Sequence, residues 1–402
     1  MRVLMTHWLY PPEYSGAGLQ GHRLARELQK LGVNVFVLAG TDARALVGVN
    51  EIDGIAVSRM LRETHSIPAH VRYWRALNHY ISSNKGQIDL VHTHGFHPRI
   101  NIAARFARLP IITKITNQTV DDPVAVLNRK GGYIKSKLYN LADAVISTSR
   151  ALENLCKRAN LPHKKIVRLP NGVDVQEFRP LTVRERIRQR QILGAPEYKI
   201  VLLTVGPVSY SKGLDSLIRA VAFLDESTKK KICIWVVGPT TNENGISTSR
   251  SGKNDFFCKI ESKIKHLGLS DLVQFKGQQQ NMHDFFGAAD IYVHPSRKEG
   301  QPNALLEAMA SGLPVVANVL PGITDEMTQS GRVGHLVNAE NPQHFAAAIR
   351  LLVNNPALRA RFGRKAREHV IKNYSIKSVA KSYVELYSNV LRMKMVKIPK
   401  NK

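Results

Sequence analysis

Cysteine is scarce in this chain of 402 residues: Cys156, Cys233 and Cys258 are odd in number and lack metal-type spacing. That argues against a disulfide framework and fits a reducing compartment. Long apolar runs are missing too, and no stretch approaches the ~20 residues needed to cross a bilayer. The opening MRVLMTHWLYPPEYSGAG does not read as a signal peptide, because its apolar run is short and aromatics, prolines and Glu13 follow at once. A cytoplasmic protein is the expectation. Acidic residues are few, 31 Asp+Glu against 58 Lys+Arg, a formal charge of +27. The excess is spread along the chain: residues 1–180 hold 25 basic and 13 acidic side chains, residues 181–402 hold 33 and 18. Solvated helix faces would explain it, and so would contact with an anionic membrane surface, which would make the protein peripheral on the inner face of the membrane. No helix-turn-helix, zinc-finger or RNA-binding signature accompanies the charge, so no nucleic-acid partner is expected.

Apolar residues make up 43% of the chain, enough for packed interiors. They fall in short runs rich in Val and Ile: Val3–Thr6, Val33–Ala39, Ile88–His92, Ile111–Ile115, Ala144–Ser147 and Ile166–Leu169. A second series comprises Ile200–Val205, Ile232–Val237, Val273–Phe275, Ile291–His294 and Val315–Ala317. Amphipathic segments lie between them, such as Gly18–Leu31 with Leu24, Leu28 and Leu31 on one face. Continuous apolar strands alternating with helices indicate parallel sheets of βαβ units. The fold class is therefore α/β, two doubly wound Rossmann-like domains of about six strands each. The boundary is expected near Phe178–Leu181, after the turn Pro170-Asn171-Gly172. That gives domains 1–178 and 179–374. Polar, Gly/Ser-rich residues 240–254 read as a surface insertion.

Ligands of open parallel sheets bind beyond the C-terminal ends of strands, which selects three stretches. Gly16-Ala17-Gly18 follows the first strand and opens a helix. It suits a phosphate at a helix N-terminus or an ordinary tight turn, and lacks the G-x-G-x-x-G spacing. Ser211-Lys212-Gly213 follows Val205-Gly206. Its lysine could reach a diphosphate or simply be a surface side chain. The third runs from Glu299-Gly300-Gln301-Pro302-Asn303-Ala304-Leu305-Leu306-Glu307 to Ala317. Glu307 lies eight residues after Glu299, inside a helix beginning near Asn303 and among Ala, Leu and Met, where an exposed face is a poor explanation for it. Two carboxylates at such a helix start can accept hydrogen bonds from vicinal hydroxyls, as in sugar and ribose.

This third segment resembles the Glu-x7-Glu signature of retaining glycosyltransferase family four (glycosyl transferases group 1), of the GT-B fold. Asp89-Leu90-Val91-His92-Thr93-His94-Gly95, Leu169-Pro170-Asn171-Gly172-Val173-Asp174 and Val205–Gly213 resemble that family's first-domain strand end, inter-domain turn and diphosphate loop. Residues from Ser375 onward, about 375–402, resemble its helix that packs back on the first domain. The resemblance implies two domains facing across a cleft, an acceptor side in the first and a nucleotide-sugar donor site in the second. It implies that Glu307 binds ribose, that Glu299 binds the transferred sugar, and that Gly300, Gln301, Asn303, Ala304 and Leu305 hold sugar and phosphate. Lys212, with Gly16 and Gly18, would neutralise the leaving diphosphate; Glu299 and Lys212 would carry catalysis, with retention of configuration. No cofactor and no metal are expected. The implied activity is transfer from a nucleotide-diphosphate sugar to a glycan, polysaccharide or lipid-linked acceptor. Alternatives are a small soluble acceptor or a non-catalytic nucleotide-sugar-binding relative. Two departures stand out. Pro207 occupies the place of a family arginine, a loss for which Arg297 is the candidate replacement, and Thr116-Asn117 stands where many members place a histidine. His92, His94 and His97 are open to three readings: packing, metal binding, or contact with donor or acceptor, the last placing His94 among the candidates.

Overall fold

The computed structural model describes residues 1–13, 15–62, 67–118, 121–129, 131–240 and 255–396. The insertion expected at residues 240–254 lies outside them, apart from Thr240. The chain forms two compact units, Met1–Gly172 with Ile376–Lys402, and Val173–Ser375.

The first unit is built on eight strands: β1 (Arg2–His7), β2 (Asn34–Thr41), β3 (Gly48–Ile52), β4 (Ile55–Leu61), β5 (Leu90–His94), β6 (Ile111–Ile115), β7 (Ala144–Ser147) and β8 (Ile166–Arg168). Their order is β3-β4-β2-β1-β5-β6-β7-β8. All pairs are parallel except β3–β4. The expectation of six strands missed that hairpin. Its turn, Asp53-Gly54, takes left-handed φ at both residues, +49° and +76°, the primed-turn chemistry an Asp-Gly pair favours. The fifth strand also runs later than the apolar run suggested: Ile88 and Asp89 precede it, and Asp89 accepts from the guanidinium of Arg2, which begins the neighbouring strand β1, at 2.7 Å.

Two layers cover this sheet. Helices α1 (Gly16–Lys30) and Ile376–Val396 bury one face, with Leu24, Ala25 and Leu28 meeting Ile376, Val379, Ala380, Tyr383, Tyr387 and Val390. The three-and-four spacing of the latter set is a helical stripe. Leu31, expected on the α1 face, instead lies past the helix end and is exposed. On the other face lie α2 (Ile67–Ser83), α3 (Pro98–Phe106), α4 (Pro123–Leu127), α5 (Gly132–Lys137) and α6 (Arg150–Arg158). Four of these send Leu77, Ile81, Ile100, Ala104, Val126 and Leu152 into the core.

The second unit has a six-stranded parallel sheet of β9 (Ile200–Val205), β10 (Ile232–Val237), β11 (Val273–Phe275), β12 (Ile291–His294), β13 (Val315–Asn318) and β14 (His335–Val337). The order is β11-β10-β9-β12-β13-β14. β14 is three residues long and half-buried, too short for a periodicity signal. The order reverses between β9 and β12, so the loops after these two strands flank a topological switch point, where open α/β sheets place ligands. Among the described residues, no helix is long and apolar enough to cross a membrane.

The least expected core residue is Lys114, in the middle of β6 and 2% exposed. It faces His94 in the β5–β6 register, and the His94 ring lies 4.3 Å from both His7 and His92. Tyr387 shares a 2.7 Å hydrogen bond with His92. Burial pushes the Lys114 ammonium down to about 7 and holds the three imidazoles well below their usual range. Between that pKa and the ordinary lysine value near ~10.4, the unfolded chain binds a proton that the folded chain has released, so stability rises with pH across this window. One proton contributes a slope of about 1.4 kcal/mol per pH unit. In urea titrations from pH 7 to 10, Lys114→Met is expected to abolish that slope and to be more stable than the parent at pH 7; an unchanged slope would refute the assignment.

Candidate functional site

The candidate site of the second unit is assembled by backbone approaches that only glycine permits. After β9, Gly206 adopts φ +142°, and a Cβ on Gly238, the residue after β10, would lie 2.2 Å from the Gly206 carbonyl oxygen. The chain then makes a tight turn, Tyr210–Lys212, ended by Gly213 at φ +69°. A Cβ on Gly213 would lie 2.1 Å from the carbonyl oxygen of Pro295, which follows β12. Any other residue is strained there and clashes with rigid backbone. The two loops are thereby pressed together, and the Arg297 amide donates to the Ser211 carbonyl at 2.8 Å.

This contact brings Lys212 and Glu299 together. The Lys212 ammonium donates to Glu299 Oε1 at 2.7 Å; the carboxylate is buried and the lysine about one-third exposed. Burial pushes the Glu299 carboxyl up, but the charge and hydrogen bond of Lys212 lead the effects that outweigh it and hold the group below its usual value. His294, at the end of β12, stands with Nε2 3.6 Å from the same oxygen, beyond hydrogen-bond range. Burial lowers His294 to about 4, so it is neutral near pH 7 and Lys212 is the balancing cation. A buried ion pair of this kind is a poor source of stability but a well-oriented charge.

Beyond Glu299 the chain enters the helix Asn303–Ala310, whose start has Pro302 as N-cap and no side-chain cap. Gly300 and Gln301 are buried, Asn303 and Ala304 half-buried, and Leu305 fully buried. Glu307 is 5% exposed in a helix whose other buried members are all apolar. Its carboxylate thus belongs to the interior, where an ionisable group needs polar company.

Arg297, the candidate replacement for the arginine missing at Pro207, is engaged by side chains and carbonyls of its own unit. Its guanidinium makes a bidentate pair with Asp215, 2.7 Å on both arms, donates to Ser216 Oγ and the Tyr210 carbonyl at 2.8 Å, and reaches Glu340 at 2.7 Å. It lies 4.1 Å over the Tyr210 ring. These contacts clamp the turn that carries Lys212.

The remaining candidates belong to the first unit. Gly16 and Gly18 open α1, where Ser15 Oγ accepts from the Gly18 amide at 3.2 Å. A Cβ on Gly18 would meet the Leu9 carbonyl oxygen at 2.4 Å, so this glycine has a packing reason of its own. His94 is buried in the imidazole row that contains His7 and stands beside Lys114. His7 and Lys114 were not among the expected site residues, although a lysine inside Ile-Ile-Thr-Lys-Ile is itself a signal. Thr116 and Asn117, at the family's histidine position, give both amides and the Thr116 hydroxyl to buried Asp121, 2.7–2.8 Å. Burial pushes the Asp121 carboxyl up despite these three donors. Among the described residues, no group of three or more His, Cys, Asp or Glu is placed to hold a metal ion.

Comparison with known proteins places this geometry in a class. The model for glycosyl transferases group 1 matches residues 185–369, and that for glycosyltransferase family 4 matches residues 14–177. The D-inositol 3-phosphate glycosyltransferase of Streptomyces scabiei is 30% identical, over 75% of this chain and 68% of that protein. The Streptomyces avermitilis protein of the same name is 34% identical over 57% of this chain, a match that spans 48% of its own length. Anabaena HepE, solved in complex with UDP-glucose, superposes with a TM-score of 0.77 over 97% of this chain and 100% of its own, at 20% identity. The chain is a glycosyltransferase of family four, with the two parallel-sheet α/β units of the GT-B fold.

Arg297→Lys cannot reproduce the fork that grips Asp215, Tyr210 and Glu340 together. A loss of about 1.5–3 kcal/mol is expected, the range for hydrogen bonds to charged groups. A thermal melt reads it; an unchanged midpoint would mean that the clamp does not hold the turn.

Proposed function

We propose that this chain transfers a sugar from a nucleotide-diphosphate sugar to an acceptor hydroxyl, with Lys212 facing the departing diphosphate and Glu299 and Glu307 receiving donor hydroxyls. The observation that carries this reading is the 2.7 Å Lys212–Glu299 pair, fastened by the Gly213–Pro295 approach. As the glycosidic bond breaks, negative charge gathers on the leaving phosphate. A lysine already tethered in place stabilises that charge without reorganising in the transition state. The uncapped start of the helix Asn303–Ala310 adds amide donors and the positive end of its dipole. Glu299, held ionised near pH 7, accepts from hydroxyls of the sugar, and buried Glu307 from those of the ribose. UDP is the first base to test, given the UDP-glucose complex of HepE. The anomeric configuration is retained in this reading, and neither metal nor cofactor takes part.

For the acceptor, a glycan or lipid-linked molecule at the cytoplasmic membrane face suits the +27 charge. A second reading is favoured by the inositol 3-phosphate relatives: a small phosphorylated acceptor, for which the same basic excess would serve.

Purified protein offered UDP-, GDP- and ADP-sugars is expected to release free nucleotide from one of them. Lys212→Ala should lower that turnover by about 10²–10³, the cost of removing one preorganised donor to developing charge. Glu307→Ala should abolish nucleotide release at donor levels that saturate the parent. Nucleotide release from none, with no thermal stabilisation by UDP, GDP or ADP, would point to a non-catalytic relative. Adding inositol phosphate or a lipid-linked glycan to the active donor separates the two acceptor readings.

A further inference from the structure

The second unit carries a groove at the end of its sheet opposite the donor residues. Lys212 and Glu299 follow β9 and β12, beyond their C-terminal ends. The groove lies where β12 and β13 begin, lined by Asp290 just before β12 and Pro314 just before β13. The helix Asn303–Ala310 runs between the two ends, about 12 Å long at 1.5 Å per residue. The groove has a volume of about 310 Å³, at the lower end of the roughly 300–1,000 Å³ of small-molecule sites.

Its walls are set by close packing. A Cβ on Gly363 would lie 2.0 Å from the Gly312 carbonyl oxygen, and one on Gly287 would lie 2.5 Å from Leu181 Cδ1. Arg367 donates to the carbonyls of Phe178, at 3.0 Å, and Ala310. The chain around Phe178 is thereby fastened to the end of the helix Asn303–Ala310, and Leu181, Gly287 and Gly312 all line the groove. A site built in this way needs little ordering when a ligand enters.

Charge in the groove is unbalanced. Asp290 supplies the carboxylate of its lining, and three donors already hold it: Arg186 at 2.6 Å, Arg190 at 3.0 Å and the Val201 amide at 2.8 Å. Arg359, on the first turn of the helix Pro356–Tyr374, lines the same groove. Its Nη1 donates to the carbonyls of Leu352 and Val353, at 2.7 and 2.9 Å, and it makes no ion pair among the described residues. Three guanidiniums thus surround one carboxylate. Burial leads the effects that push Arg359 below its usual range, and the like charge of Arg186 adds to it. Donors are left over as well. Arg186 Nε is buried without a hydrogen-bond partner, and so is the hydroxyl of Ser311, a groove residue 5% exposed. Such groups cost free energy until something accepts from them.

We propose that this groove binds the phosphate of a small phosphomonoester. A guanidinium carries five N–H donors, and Arg186 engages the protein through Nη2 and Arg359 through Nη1. The remaining arms and the Ser311 hydroxyl suit the three oxygens of a phosphate better than the two of a carboxylate. Leu181, Leu313 and Pro314 give the carbon skeleton an apolar wall. The proposal goes beyond the transfer reading, and binding is measured without turnover, so either can fail while the other stands.

The test is titration calorimetry of the full chain with glycerol 3-phosphate, and with glycerol as control. Only the phosphate ester is expected to bind, with a component that Lys212→Ala leaves intact. Arg359→Gln and Ser311→Ala should each weaken that component at least about tenfold, the lower end for a hydrogen bond to a charged group. Arg359→Gln also gives up two carbonyl contacts, so its melting is read alongside. Ser311→Ala removes an oxygen that bonds nothing in the protein and should melt with the parent. Glycerol binding as tightly as its phosphate, loss of the component in Lys212→Ala, or a Ser311→Ala protein that binds like the parent would overturn the proposal.

Discussion

The approach of Gly213 to the Pro295 carbonyl is the constraint on which the site of the second unit depends. Two loops that leave neighbouring strands, β9 and β12, can touch through their backbones only where one lacks a Cβ. Everything else follows from that contact. Lys212 precedes the glycine and Glu299 follows the proline by four residues, so the pair meets without either side chain having to search. Asp215 and Arg297 repeat the same logic one step outward, binding the turn from its exposed side. Here the electrostatics are a product of backbone packing.

How much of this was legible in the sequence depended on the range of the forces involved. The eleven apolar runs all became strands, because most of them are covered on both faces, which favours apolar residues along their whole length. The Glu299–Glu307 spacing was legible because it is local, set by one loop and one helix. The β3–β4 hairpin was written in Asp53-Gly54 but hidden by the exposure of β3, whose residues carry no clean alternation. The ion pairs of Arg297 were not legible because its partners, Asp215 and Glu340, are 82 and 43 residues away in sequence. No pattern within a window reports such a pair. Lys114 was passed over for the opposite reason: the run around it read so well as a strand that a charged residue inside it drew no separate question.

The two units also spend polar groups differently. In the second, buried charge is matched, with Lys212 against Glu299 and Arg190 against Asp290 at 3.0 Å. In the first, Lys114 and the imidazoles of His7 and His94 are buried without a protein partner for their side-chain nitrogens. The physical response is neutralisation, since an unpaired ion in that setting costs more than giving up a proton. One unit thus fixes its charges by geometry and the other lets them go.

The helix Ile376–Val396 has a consequence for the order in which the protein can be made. It supplies Tyr383, Tyr387 and Val390 to the core of the first unit, yet the ribosome delivers it after the whole of the second. Domains ordinarily fold in the order of synthesis, N-terminal first. Here the nascent first unit must wait, one face of its sheet half-covered and His92 without Tyr387, while residues 173–375 are translated. The unit that begins first is finished last.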